Sequence, residues 1–113
     1  MPQSKSKALN DEFRKVTETY RAAKRFLEFT ATPKRTLREN ALEEEIGHRK
    51  KNVFNFECSL ALLDADYHKI LSNEIKQEKA LWYVGTISRS TYYRNRQKAI
   101  EIFLNTYHRL EKL

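Results

Sequence analysis

The sequence predicts an all-α protein: a single-domain helical bundle of five or six helices, with a C-terminal helix-turn-helix and a long final helix. Three observations carry that expectation. Two Gly and two Pro in 113 residues leave few places for the tight turns of β-structure. Apolar residues recur at three-four spacing along much of the chain, the period of a helix with one buried face. One Trp, six Tyr and six Phe, within 40% apolar and 33% charged residues, supply core-forming area that a disordered chain lacks. A second core in a chain this short would leave each half near the size where burial barely offsets chain entropy, so one core is expected.

Residues 1–9 read as a polar N-terminal tail and 10–113 as one helical domain, with N-terminal helices over 10–62 and the helix-turn-helix region over 63–113. Phe13, Val16, Tyr20, Ala23 and Leu27 form the stripe of a first helix over roughly residues 10–30. Asn10 stands where a cap is wanted, with Asp11 and Glu12 beside the positive helix end. Thr32-Pro33 ends the helix, because the residue before proline resists the α conformation.

Thr36 and Glu39 match the capping-box spacing and open a second helix carrying Leu37, Ala41, Leu42 and Ile46, with Glu43, Glu44 and Glu45 mostly on the other side. Gly47 weakens its end. Arg49, Lys50 and Lys51 then lead into VFNFECSLALL, read as a further, buried helix. The lone cysteine, Cys58, lies in that run and reads as a buried, inert thiol.

Asp64 or Asp66 can cap a short helix whose stripe is Tyr67, Ile70, Leu71 and Ile75. A brief apolar segment follows from Glu78 to Val84, stopped by Gly85. Ser88 is a good N-cap for the long final helix, along which Tyr92, Ala99, Phe103, Tyr107 and Leu110 run down one side with Ile100 and Leu104 beside them.

Charge narrows the function classes. The net charge of +7 divides into +6 over residues 1–38, −4 over 39–78 and +5 over 79–113. Two basic ends around an acidic middle suit a polyanion, since phosphate neutralisation dominates nucleic-acid affinity, while the acidic middle suits a basic protein surface. No apolar stretch approaches the roughly 18 residues of a membrane span, and MPQSKSKALNDEF lacks the apolar block of a signal peptide. A cytoplasmic protein without a membrane partner is therefore expected. The chain has no glycine-rich phosphate loop, no Cys or His pair at metal-ligand spacing and no GxSxG-type nucleophile, so an enzyme, a cofactor and a metal are not expected. His48, His68 and His108 read as helix surface or edge, and Glu43–Glu45 as a solvated face rather than an acid/base pair held across a cleft.

The remaining stretch is EKALWYVGTISRSTYYRNRQK, residues 78–98. A short helix, a turn containing glycine and a serine-capped helix with hydroxyl and basic residues in its first turns are the pattern of a helix-turn-helix, whose second helix enters the DNA major groove. Ile87 anchors the turn, Ser88 satisfies free amides and Tyr92 points inward. Arg89, Ser90, Tyr93, Arg94 and Gln97 then share an outer face, where guanidinium can bond guanine edges or phosphates and hydroxyls can bond phosphates. Ser88, Arg89, Ser90, Thr91, Tyr93, Arg94, Arg96, Gln97 and Lys98 are the candidate DNA-binding residues. Arg89, Ser90, Tyr93 and Arg94 are nearest the bases; Thr91, Arg96 and Lys98 are nearer the backbone or framework.

ISRSTYYRNRQKAIEIF, residues 87–103, resembles the C-terminal helix-turn-helix of ArpU-type phage late transcriptional regulators and, more distantly, region 4 of sigma-70-like factors. LDADYHKILSNEIK, residues 63–76, is similar to the helix that precedes the motif in those families. The resemblance covers about residues 63–104. It implies a sequence-specific, double-stranded-DNA-binding transcriptional regulator with RNA polymerase as a further partner. Thr86 stands where those families commonly have the turn glycine, with Gly85 one place early, and Trp82 stands where a small residue is usual. A helical protein-protein adaptor with a basic face and an RNA-binding protein that stacks bases on Tyr93 are the alternative readings. The stripe of the first helix also leaves pairing with another copy, a homodimer, open.

Overall fold

The computed structural model of the chain describes residues 2–30, 39–76 and 87–113. Among the described residues there are four helices and no strand: α1 (Pro2–Thr30), α2 (Glu39–Ala61), α3 (Ala65–Ile75) and α4 (Arg89–Glu111). No helix among them is long and apolar enough to cross a membrane.

Four described helices, rather than five or six, have two origins. The helix expected to weaken at Gly47 and the helix expected over VFNFECSLALL are one continuous element, α2. A mid-helix glycine costs about 1 kcal/mol relative to alanine, too little to break a helix supported on both sides. Here the support spans the glycine itself: Arg49 Nε donates to Glu45 Oε1 at 2.8 Å, and the Arg49 guanidinium lies 5.2 Å from the centre of the Phe26 ring on α1. The second origin is position. The helix expected over 78–84, with Trp82, Gly85 and Thr86, lies outside the described residues, as does the Thr36 cap.

The first helix also starts earlier than its stripe suggests. It begins at Pro2, a residue suited to the first helical turn, so Asn10 sits within the helix and is not its cap.

The core is an aromatic cluster drawn from three helices. Phe103 of α4 meets Phe13 of α1 edge-on at 5.4 Å and Phe56 of α2 at 4.9 Å, and Tyr20 stacks on Phe56 at 4.0 Å. Such pairs add about 0.5–1.5 kcal/mol each beyond the area they bury. Ala23 and Ala99, both fully buried, let the backbones approach. Leu63, Ile70, Leu71, Tyr92, Ile100, Leu104 and Tyr107 extend the cluster and bring in α3. The stripes expected for α1, α3 and α4 are the faces that contribute to it.

Buried polar groups are paired. Thr17 Oγ1 donates to the Phe13 carbonyl at 2.8 Å and Ser59 Oγ to the Asn55 carbonyl at 2.7 Å. Among the described residues no buried side-chain nitrogen or oxygen lacks a hydrogen bond, as expected where an orphan would cost about 1–3 kcal/mol. Cys58 is half-buried rather than enclosed, because it faces away from the Phe56–Ser59 side of α2.

Candidate nucleic-acid interface

The start of α4 is fixed by its own sequence. Ser88 has extended backbone (φ −71°, ψ 156°), its Oγ accepts from the Thr91 amide at 3.2 Å, and the same hydroxyl donates to Thr91 Oγ1 at 2.8 Å. One free amide of the first turn is thereby satisfied, a contribution of about 1 kcal/mol. Ser88 and Thr91 thus serve the helix start, with Ser90 Oγ 3.4 Å from Ser88 Oγ.

Four residues on, Tyr92 is only 8% exposed, as its register predicts, and its ring meets that of Tyr93 at 5.3 Å and 77°. Burying Tyr92 turns the adjacent position outward, because neighbours on a helix lie about 100° apart. Tyr93 is 56% exposed. Arg89, Ser90, Arg94 and Lys98 are exposed and Gln97 half-buried. Arg89, Arg94 and Lys98 take part in no ion pair among the described residues. The first acid on the helix is Glu101. A cationic, hydroxyl-bearing face therefore occupies the first three turns of α4, where the amide ends of the helix add positive potential.

Arg96 is placed differently. Its Nε and Nη2 donate to the two carboxylate oxygens of Glu74 on α3, at 2.9 and 2.7 Å, and its Nη1 donates to Asn10 Oδ1 on α1 at 2.8 Å. The fork joins three helices directly behind the outer face. Arg96 is thus held in the framework between helices. Its register shows why: Arg96 follows Tyr92 by four and precedes Phe103 by seven, so it lies on the core-facing stripe.

Beside this fork, Arg21 Nη2 donates to the Ile75 carbonyl at 2.9 Å, satisfying a free carbonyl at the negative end of α3. The other end of α4 is tied by His108, whose Nδ1 hydrogen-bonds Glu111 at 2.9 Å and whose Nε2 bonds Glu12 of α1. The Glu111 bond, then the Glu12 bond, raises the His108 pKa above the ordinary imidazole value. His48 shares a shallow cleft with this cluster, yet no group of three His, Cys, Asp or Glu among the described residues is placed to hold a metal ion. Periodicity does not show His108 and the Arg96 fork as ties between helices, since their partners on other helices, Glu12 and Glu74, lie far away in sequence.

Compared with known protein families, curated proteins and solved structures, the chain matches none.

Proposed function

We propose that this chain binds double-stranded DNA through the first turns of α4 and acts as a sequence-specific regulator of transcription. One observation carries the reading: Arg89, Arg94 and Lys98 are exposed and form no ion pair among the described residues, around Ser90 and Tyr93 on a helix start held by the Ser88 cap and the buried Tyr92. Side chains so placed can reach base edges while the helix end faces phosphate. Contact with RNA polymerase belongs to the same proposal through the sigma-like resemblance of residues 63–104. The exposed Tyr93 ring favours a second reading, stacking on the bases of single-stranded RNA.

Selection of the full chain against random duplexes tests both halves of the proposal. Enrichment of a short common site is expected. The double change Arg89→Ala, Arg94→Ala should weaken duplex binding by about tenfold or more, whereas Glu43→Gln, Glu44→Gln should not weaken it. No duplex binding at low salt removes the proposal, and tighter binding to single strands that is lost on Tyr93→Ala replaces it with the RNA reading.

A further inference from the structure

One face of α2 is left exposed by the described residues. Phe54 is 62% exposed and Leu62, in the turn directly after the helix, is 70% exposed. Between them Cys58 is half-buried and Ala61 exposed; Phe54, Cys58 and Ala61 fall at spacings of four and three, so they share one side of the helix end, and Leu62 follows in the adjoining turn. Single apolar side chains on a surface need no explanation, but two large ones aligned over two turns with small residues between them form a strip that can pack against a matching helix.

The ends of that strip carry opposite charge. Lys50 and Lys51, exposed, lie one turn before Phe54, and Asp64 and Asp66, also exposed, follow Leu62 within four residues. None of the four takes part in an ion pair or side-chain hydrogen bond among the described residues. A strip that is basic at one end, apolar in the middle and acidic at the other is complementary to its own copy turned end for end. We infer that the α2 face docks a second copy of this chain, antiparallel and two-fold about Cys58, with Phe54 of each copy toward Leu62 of the other. The lysines of each copy then approach the other's acids. An isologous arrangement of this kind closes on itself and stops at a dimer. It is independent of DNA binding, because the α4 face plays no part in it.

The strip is short, at the small end of protein interfaces, so association is expected at roughly micromolar concentration. Sedimentation of the full chain without DNA, from low to high micromolar, should show a monomer passing to a dimer. Phe54→Asp with Leu62→Asp should weaken the dimer by about tenfold or more, with helix content and melting temperature retained because both side chains are exposed. Lys50→Glu with Lys51→Glu should weaken it as well, and adding Asp64→Lys and Asp66→Lys to that variant should restore it, which only an end-for-end pairing predicts. A chain that stays monomeric throughout overturns the inference. So does a dimer indifferent to the Phe54 and Leu62 changes, or one that the charge reversal does not rescue.

Discussion

Arg96 illustrates how one residue can look like a ligand contact and act as a clamp. It lies in a run of basic residues, but its guanidinium makes three bonds, two to Glu74 and one to Asn10, and its side chain is only 20% exposed. Planar two-point bonding to a carboxylate needs the guanidinium fork, and an ammonium on a flexible stem cannot reproduce it. Arg96→Lys should therefore lower stability by about 1–2 kcal/mol in denaturant titrations even though charge is kept. Lys98→Ala, at an exposed position without an ion pair among the described residues, should stay within about 0.5 kcal/mol of the wild type. Equal effects from the two changes would mean that the fork does not hold α1, α3 and α4 together.

At the scale of elements, α2 is where local preference and context disagree. Gly47 is exposed and an added Cβ would meet nothing within 4 Å, so the position demands no glycine for space. Gly47→Ala should stabilise the fold by about 0.5–1 kcal/mol, read as a higher melting temperature, by removing unfolded-chain freedom at a helical site. No gain would imply that α2 bends or opens at this point. The same position explains why the segments on either side of Gly47 read as two helices although they form one. A glycine is legible as a weak point, but the Glu45–Arg49 bridge over it and the Phe26 contact depend on a neighbouring helix. The α4 start was legible because everything that makes it is local: a serine three residues before the amide it caps, and a Tyr92 stripe at helical spacing. Phe54 and Leu62 were not, since an apolar run shows that burial is available and not which side chains find a partner. The Arg96 register is legible in its spacing from Tyr92 and Phe103, but its partner Glu74 is set by the tertiary fold.

Over the whole molecule, basic residues are not equivalent, although the two ends of the chain carry similar net charge of +6 and +5. On α1, Arg21 is bound to the end of α3, and Lys24 lies 5.5 Å from the centre of the Tyr20 ring and 4.0 Å from Glu57. Tyr20 in turn donates to Glu57 at 2.9 Å, and burial, then that carboxylate, raises its pKa. Such cations are already compensated within the protein. On α4, Arg89, Arg94 and Lys98 form no ion pair among the described residues, so if α4 meets duplex DNA they should release its counterions. The logarithm of affinity falls linearly with the logarithm of salt, by close to one unit of slope per phosphate neutralised. Arg89→Ala with Arg94→Ala should therefore reduce that slope by about two, while Arg21→Gln with Lys24→Gln should leave it within about half a unit. The comparison reads charge at the contact separately from affinity, so a loss of stability in the α1 variant does not obscure it. A slope lowered equally by both pairs would extend the interface along α1, and a slope lowered only by the α1 pair would move it there.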